Sequence, residues 1–407
     1  MTTEQAARTT FRDVFAVGEF RALWSAQLLS VAGDQLARVA LTVLVYDRTR
    51  SALLAAITFV ASVVPTFVGG VTLAWLADRY PRRGVMIACD LVRCGLVLVM
   101  AVHGMPVAAM VVLLFVVTLV SAPFTAARAA IYPDVLHGDR YVVGTAVTMI
   151  TNQFAQVIGF AVGGLIAGLL GTGQALVVDA VTFAGSALIV RAWVRDRPPP
   201  ASGPRENALA RNGLGSAVRL VFGNSVLRTS MLFGWLAAFY NSPEGVVTPL
   251  ARSLGGGATA VGVILAAQAL GETSGALVFS RFVVPERRLR LMGPMATASC
   301  AVLLLFAFRP GLSASLVLLC LSGLCASYQL AANAAFVSAT PHDRRSQAFG
   351  LAQGGMSFGQ GTMMILAGAV AGVVSPASVI AICGVLGALV AVVLAVGWAR
   401  NSRDEQN

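Results

Sequence analysis

The sequence predicts an all-α integral membrane protein with twelve transmembrane helices in two pseudo-symmetric six-helix bundles. Hydrophobic residues make up 57% of the 407 residues and charged residues only 12%, whereas a soluble domain carries about 25% charged residues. The apolar residues fall into runs of roughly 20 residues, the length that a helix needs to cross a bilayer. Short arginine-containing gaps separate these runs, and one longer polar stretch, 195–225, divides them into two sets of six.

Each run predicts one helix, and the two halves correspond helix by helix. The first half has helices at about 22–46, 52–77, 84–102, 106–127, 143–170 and 174–194, and the second at about 229–250, 258–282, 290–308, 313–336, 347–373 and 377–398. We therefore predict a first bundle over 1–194, a linker over 195–225 and a second bundle over 226–407. The linker contains Pro198-Pro199-Pro200 and a basic segment around Arg211 and Arg219, which indicates a cytoplasmic segment ending in a surface helix.

The arginines indicate the orientation of the chain in the membrane. If the N-terminus is cytoplasmic, the predicted outer loops contain only Arg48, Arg50, Arg252 and Arg309, and the many other loop and tail arginines lie inside. This is the positive-inside distribution. The chain contains no lysine, which together with abundant Ala, Gly and Val indicates a GC-rich bacterial genome. We predict a multi-pass protein of the bacterial cytoplasmic membrane with both termini in the cytoplasm.

Several function classes are not indicated. The net charge of +11 is spread over short loops and does not form the single basic face that nucleic-acid binding needs. The first 20 residues lack the apolar core of a signal peptide. There is no Gly-Lys-Ser/Thr phosphate loop, His103, His137 and His342 are isolated, and the six cysteines lack metal-ligand spacing. We expect no enzyme activity, no cofactor and no metal.

The loop between the second and third helices joins an acid to a basic cluster, Asp78-Arg79-Tyr80-Pro81-Arg82-Arg83. This pattern resembles the corresponding loop of the major facilitator superfamily of secondary transporters, with Ala74 and Pro81 where that family usually has glycines. The resemblance implies a substrate site between two six-helix halves, near the membrane midplane. It also implies that Asp78 faces the start of helix 11 and stabilises the outward-facing state, since a helix N-terminus favours an anion.

We predict a cytoplasmic gate in this region, formed by Asp78, Arg79, Arg82, Arg83, Asp90 and Arg93. One of the paired arginines of the loop would bind Asp134 or Asp90. Asp90 and Arg93, near the cytoplasmic end of helix 3, would be structural parts of the same network. Positive-inside anchoring alone is the alternative, and it explains the arginines but not Asp78.

Helix 5 contains a glycine motif, Gly159-Phe160-Ala161-Val162-Gly163-Gly164. The motif resembles the antiporter signature Gly-Pro-x-x-Gly-Gly of drug exporters in the superfamily, with Phe160 in place of the proline. The resemblance implies export, with Gly159, Gly163 and Gly164 as the residues of the motif. The alternative is ordinary close packing of helices at small residues.

Ionisable residues within the predicted helices are candidates for proton coupling, because a charge in the bilayer costs several kcal/mol and needs a partner, water or a function. Asp34 and Arg38 lie one turn apart on one face of helix 1. We expect them to form a pair that a proton or substrate breaks, and the alternative is a permanent structural ion pair. Glu272 in helix 8 is a second candidate proton carrier. Asp179 and Glu244 lie nearer the predicted outer side, where we expect hydrated rim residues.

Uncharged polar residues in the helices suggest the chemistry of a substrate cavity. The candidates are Gln27, Gln153, Gln156, Gln268 and Gln353. A cavity that is mostly apolar and has a few hydrogen-bonding groups suits amphipathic organic molecules more than sugars.

Further motifs resemble bacterial exporters of the superfamily that are related to macrolide-efflux and enterobactin-export proteins. They are Phe20-Arg21-Ala22-Leu23-Trp24, Gly33-Asp34, Leu76-Ala77-Asp78-Arg79, Asp90-Leu91-Val92-Arg93, Ala127-Arg128-Ala129-Ala130 and Asp179-Ala180-Val181-Thr182-Phe183. The resemblance implies proton-coupled efflux of a hydrophobic or amphipathic small molecule by alternating access. The alternatives are a proton-coupled uptake permease and a non-transporting receptor or scaffold. The expected partners are a small-molecule substrate, protons and the lipid bilayer, and we expect a monomer.

Overall fold

A computed structural model describes residues 10–197, 214–341 and 344–404, and in these ranges every regular element is a helix. The long segments of the first half are α1 (Gly18–Thr49), α2 (Ala52–Ala61 and Val64–Thr72), α3 (Arg82–Met100), α4 (Val107–Val135), α5 (Asp139–Leu170) and α6 (Thr172–Trp193). Those of the second half are α7 (Ser225–Trp235, Ala237–Tyr240, Ser242–Gly245 and Val247–Ser253), α8 (Ala258–Phe282), α9 (Pro285–Ala301, extended by the 3₁₀ helix Val302–Phe308), α10 (Leu312–Cys325, the 3₁₀ helix Ala326–Tyr328 and Gln329–Ala339), α11 (Arg345–Val370) and α12 (Pro376–Asp404). Short helices also form at Phe11–Phe15, Leu76–Arg79 and Leu214–Gly223.

The prediction of an all-α membrane protein is confirmed, and each predicted segment coincides with one of these long segments. Within the described residues, nine segments are long and apolar enough to cross a membrane. The other three are α3, which carries Arg93 and Asp90, the broken α7, and the glycine- and glutamine-rich α11. The predicted linker features Pro198-Pro199-Pro200 and Arg211 lie outside the described residues.

Two of the segments are interrupted where the sequence prediction gave continuous helices. α2 breaks at Ser62, whose hydroxyl donates to the Phe59 carbonyl at 2.6 Å, and Pro65 in the next turn has no N–H to continue the ladder. α7 breaks around Asn241 and Pro243 into four short helices. Breaks in membrane helices are tolerated where neighbouring side chains satisfy the freed backbone groups.

Before α1, the helix Phe11–Phe15 packs against the bundle through aromatic contacts. Phe15 lies edge-on to Phe20 and Trp24, with ring centroids 5.6 and 5.3 Å apart. The backbone N–H and the hydroxyl of Thr10 both donate to the Asp13 carboxylate at 2.8 Å, and these hydrogen bonds lower the pKa of Asp13. This capping box fixes the start of the helix.

We call the side with this short helix and the α2–α3 loop the terminus face, and the side with the α1–α2 and α7–α8 loops the opposite face. The two halves pack closely toward the opposite face, along α5 with α8 and along α2 with α11. A Cβ at Gly262 would lie 2.6 Å from Gly164 Cα, and one at Gly368 would lie 2.5 Å from Ala56 Cβ. One apolar cluster continues through both halves here, and it contains buried residues of each half, including Val39 and Leu250.

Toward the terminus face, each half has its own apolar cluster. One cluster is built from first-half residues around Phe20 and Tyr132, and the other from second-half residues around Met231 and Phe336. The halves are therefore joined by a shared core on the opposite face and have separate cores on the terminus face.

Candidate functional site

A buried charge cluster lies where α1, α3 and α6 meet. Arg93 of α3 is 1% exposed, and its guanidinium forms an ion pair with Asp34 and donates to Ser30 Oγ at 3.0 Å. Asp90, one turn earlier on α3, has a carboxylate oxygen 3.6 Å from the guanidinium. Asp179 of α6 also acts electrostatically on Arg93. Three carboxylates face one guanidinium, so the cluster carries a surplus of negative charge when all of them are ionised.

The close approach of α1 and α6 holds this cluster together. A Cβ at position 33 would lie 2.2 Å from Thr182 Oγ1 and 2.3 Å from Asp179 Oδ1, so glycine is needed there. The Arg93 guanidinium also stacks on the Phe183 ring, 3.9 Å from its centroid. The prediction of a hydrated rim for Asp179 was wrong, because this residue is 0% exposed and turns toward α1.

The predicted pair between Asp34 and Arg38 is not formed, since Asp34 binds Arg93 across the helix interface. Arg38 instead donates to the carbonyl of Ser62 at 3.1 Å, at the break in α2. Its guanidinium lies over the rings of Phe59 and Phe160, 5.5 and 5.8 Å from their centroids. One-turn spacing places two residues on one face of a helix, but it does not determine which of them pairs with a residue of a neighbouring helix.

A small cavity of about 60 Å³ opens beside the charge cluster, inside the first half. It is lined by Asp34, Arg38 and Asp179 and by the hydroxyl residues Ser62, Thr66, Thr118 and Ser121. A polar cavity of this volume has room for a few water molecules. The Asp34 side chain is 35% exposed, whereas those of Asp90 and Asp179 are each 0% exposed. Of the three carboxylates of the cluster, Asp34 is therefore the one best placed to exchange a proton with water.

A second polar network surrounds the broken α7. The Gln268 amide donates to Asn241 Oδ1 at 2.8 Å, and the Gln329 amide donates to the Gly234 carbonyl and the Tyr240 hydroxyl, each at 3.0 Å. These bonds satisfy polar groups where α7 is interrupted. Gln268 is buried inside the second half and is already paired, so its position does not suit the predicted role in a substrate cavity.

The two glutamates of the second half lie near this network. Glu272 is half-buried on α8 and acts electrostatically on Tyr240. Glu244 is half-buried in the turn Ser242–Gly245 and is the largest attractive charge on Arg38. The expectation of a hydrated rim at Glu244 is therefore replaced by a position at the interface between the halves.

A cavity of about 120 Å³ lies between α7, α10 and α11 toward the terminus face. Its walls include Trp235, Met356 and Phe336, and its polar groups include the side chains of Asn333 and Gln353. Both side chains are exposed to the cavity, and among the described residues neither has a hydrogen-bond partner. Carboxamides without partners beside aromatic walls are suited to a ligand that has both apolar surface and hydrogen-bonding groups.

Trp235 forms a fixed wall of this cavity, and the sequence analysis did not single it out as a site residue. Its indole N–H donates to the Ala352 carbonyl at 3.0 Å. A Cβ at Gly355 would lie 2.1 Å from the indole ring, so α11 approaches the ring directly. Gly355 is the sequence signal for this contact.

The remaining predicted cavity residues are spread over α1 and α5. The Gln27 amide donates to Asn152 Oδ1 at 3.2 Å and joins these helices. Gln153 is exposed and Gln156 half-buried on α5. Gln353 lines the cavity of the second half, so the structure does not bring the five glutamines into one site.

The predicted gate residues separate into two places. In the loop region, Arg82 binds Asp134 at 2.9 Å and the Ala130 carbonyl at 2.7 Å, while Arg83 donates to the Arg191 carbonyl at 2.5 Å. Asp78 and Arg79 lie in the short helix Leu76–Arg79, where Asp78 also takes part in a polar interaction.

Asp90 and Arg93 are not part of this loop network, contrary to the prediction. Both are buried in the charge cluster with Asp34. The sequence placed them by their distance from the loop, about two turns into α3, but their side chains turn inward.

The glycine motif of α5 contacts two partners. Gly159 packs on Gln35 and Gly163 on Leu36, and both contacts bring α5 against α1 within the first half. Gly164 packs on Gly262 of α8, across the interface. The motif thus lies where α5 contacts both halves.

The sequence was compared with known proteins. The family model of the Major Facilitator Superfamily matches residues 23–248 and 244–407. The enterobactin exporter EntS of Salmonella choleraesuis (strain SC-B67) is 26% identical over 314 residues, which are 75% of this chain and 73% of that protein.

Solved structures of transporters have the same fold. A POT family transporter in complex with a thioalcohol-conjugated peptide aligns with a TM-score of 0.75 at 9% identity, over 93% of this chain and 95% of that chain. The nucleoside transporter NupG aligns with a TM-score of 0.67 at 16% identity, over 92% and 98%. A bacterial homologue of the human lysosomal transporter Spinster, in an inward-facing and occupied conformation, aligns with a TM-score of 0.67 at 15% identity, over 94% and 96%.

These structures show the fold, and the family model spans nearly the whole chain. The resemblance noted in the sequence is thereby confirmed, and the protein is a multi-pass membrane transporter rather than an enzyme. The chain belongs to the Major Facilitator Superfamily.

Proposed function

We propose that this transporter exports a hydrophobic or amphipathic small molecule from the bacterial cytoplasm in exchange for protons. The terminus face is cytoplasmic, as the arginine distribution predicts, and the opposite face is external. The protein acts as a monomer of two bundles, 1–194 and 226–407, joined by the linker 195–225. Substrate and protons are its partners in the cytoplasmic membrane.

The observation that carries the proposal is the position of Asp34. Its carboxylate holds the buried Arg93 and at the same time lines a polar cavity. A proton on Asp34 weakens its attraction to Arg93 and leaves Asp90 and Asp179 to neutralise the guanidinium. Protonation is therefore tied to the packing of α1, α3 and α6, and Asp34 can couple proton binding to a change in that packing. Arg38 and Glu272 remain secondary candidates for coupling.

Alternating access is supported by the unequal packing of the two faces. The shared apolar core and the contact between Gly164 and Gly262 close the external side. The Arg252–Asp47 ion pair, 2.5 Å long, adds a polar contact between the halves on the same side. We assign this arrangement to the inward-facing part of the cycle, and the Asp78 loop to the gate that closes when the cytoplasmic side is sealed.

The substrate class follows from the cavity beside Trp235. It has aromatic and thioether walls and free carboxamides, and its lining residues include no charged side chain. Such a site favours an uncharged ring or amphipathic moiety over a sugar or an ion. The relative named as an enterobactin exporter is consistent with export of an organic molecule of this general kind.

Replacement of Asp34 by asparagine is expected to reduce substrate extrusion to the passive leak. Asparagine keeps the shape and can still accept from Arg93, but it does not titrate. The measurement is efflux of preloaded fluorescent or antibiotic substrates from expressing cells, with and without an uncoupler. Asp139→Asn, which changes an exposed acid on the terminus face, is the control and should extrude normally.

The same assay tests the direction and the coupling. Normal, uncoupler-sensitive extrusion by Asp34→Asn would remove Asp34 from the mechanism, and Glu272→Gln would be examined next. If wild-type cells accumulate the substrate in a proton-dependent way, the protein is an uptake permease.

Replacement of Gln353 by leucine is expected to raise the KM for a hydrogen-bonding substrate about fivefold, the equivalent of one hydrogen bond of ~1 kcal/mol. Gln360→Leu, on the same helix but outside the lining of the cavity, should leave KM unchanged. The concentration dependence of uptake into everted vesicles, whose cytoplasmic face points outward, gives both values. Equal KM values for the two variants would place the substrate elsewhere.

A further inference from the structure

A groove of about 340 Å³ lies on the terminus face, outside both polar cavities. We call it the interfacial groove, and it is lined on α1 by Gly18, Arg21, Ala22, Trp24 and Ser25 and on α6 by Ile189 and Trp193. Gly18, Ala22 and Ser25 are spaced four and three apart and Ile189 and Trp193 four apart, so each of these sets lies on one helix face. Gly18, Ala22 and Ser25 are small, which leaves the space of the groove, and Phe15 also lines it.

Within the part of the chain that the structure describes, the groove contains one positive charge without an ion-pair partner. The Arg21 side chain is exposed and has no ion pair or side-chain hydrogen bond to any residue that the structure describes. The neighbouring acid, Glu19, is already bound by both guanidinium nitrogens of Arg197, at 2.5 and 2.9 Å. It also accepts from the backbone N–H of Arg195 at 3.0 Å. Arg21 is thus left to attract an anion from outside the protein.

The groove lies at the level where the bundle leaves the bilayer. It is formed by the first two turns of α1 and the last turn of α6. Trp193 is 67% exposed, and Leu188, further into the membrane on α6, is also exposed. Tryptophan at the end of a membrane helix typically occupies the headgroup region. An apolar chain in the groove would therefore continue into the hydrocarbon layer.

We propose that the interfacial groove binds one anionic phospholipid, with the phosphate on Arg21 and an acyl chain along Ala22, Ile189 and Trp193. The headgroup supplies the charge that Arg21 lacks, and the chain covers aromatic surface that the protein leaves open. A zwitterionic lipid fills the same space, but the positive charge of its ammonium group repels Arg21. The preference is therefore electrostatic and depends on the net charge of the headgroup.

The test uses the tryptophan of the groove as the reporter. The full-length protein is reconstituted in vesicles of phosphatidylcholine that contain increasing amounts of brominated phosphatidylglycerol or brominated phosphatidylcholine, and fluorescence quenching is measured. Subtracting the signal of Trp193→Phe isolates the contribution of Trp193 among the five tryptophans. For the wild type, we expect half-maximal quenching at about fivefold less brominated phosphatidylglycerol than brominated phosphatidylcholine, since one arginine near the surface contributes about this much.

Variants of Arg21 decide whether the groove is responsible. Arg21→Gln should lose the preference, and Arg21→Lys should keep most of it. Arg281→Gln is the matched control, because Arg281 is an exposed arginine in the last turn of α8 on the same face. Equal quenching of wild-type Trp193 by the two lipids, or an unchanged preference in Arg21→Gln, would overturn the proposal. If Arg21→Gln does not fold, the wild type and Arg21→Lys still decide the outcome through their preference between the two lipids.

Discussion

Replacement of Arg93 by glutamine is expected to destabilise the protein by about 3–5 kcal/mol, the cost of breaking a buried ion pair by removing one partner. Without the guanidinium, Asp34, Asp90 and Asp179 face one another without a counter-charge, and the last two are fully buried. The variant also loses the stacking on Phe183 and the hydrogen bond to Ser30. Denaturation of the purified protein by SDS, followed through far-UV circular dichroism, measures the loss.

Two comparisons make this result specific. Arg82→Gln removes an ion pair whose partner Asp134 is 43% exposed, and it should cost about 0–1 kcal/mol. The double variant Arg93→Gln with Asp34→Asn should be more stable than Arg93→Gln alone, since it removes one of the opposed carboxylates. If Arg93→Gln is as stable as the wild type, the carboxylates are already neutral in the folded protein and need no cation.

The helices were predictable because hydropathy over roughly 20 residues reports directly on membrane insertion. The interruptions of α2 and α7 were harder to predict from the sequence. Asn241 and Pro243 are the sequence signal for the break in α7. The apolar residues on both sides keep the mean hydropathy of the segment high, so the average does not reveal the break. The break in α2 depends on Ser62 and Pro65, and serine in a membrane helix often continues the helix.

The pairing partners within the charge cluster could not be predicted from residue spacing along the sequence. Asp34 and Arg38 are neighbours on one helix, and their spacing favours a pair within α1. The actual partner, Arg93, is 59 residues away in sequence, and Gly33 brings the third helix of the cluster close enough to complete it. The motif residues Gly33-Asp34 and Asp179–Phe183 were recognised separately as family features. Their meeting at one site follows from tertiary packing, which spacing alone does not predict.

The interface between the halves leads to the second large expected effect. Gly262→Leu should separate the two halves on the opposite face and shift the protein toward a conformation that is open there. A Cβ at Gly262 would lie 2.4 Å from the Phe160 carbonyl oxygen and 2.6 Å from Gly164 Cα, and neither backbone can move aside without moving α5. Overpacking of this kind costs about 1–3 kcal/mol, enough to change a conformational ratio by roughly 5- to 150-fold. Where two helices are in contact at glycine residues, there is little space for a larger side chain.

Spin labels at introduced cysteines in place of Arg50 and Ser253, in a background without the six native cysteines, report the separation of the halves on the opposite face. Double electron–electron resonance should show a single short distance in the wild type and a longer population in Gly262→Leu. Gly173→Leu is the control, because a Cβ at that position, in the first turn of α6 on the same face, meets no atom within 4 Å. An unchanged distance in Gly262→Leu, together with normal folding, would mean that α5 and α8 separate there without opening the opposite face. The contact between Gly164 and Gly262 would then have no role in closing that face.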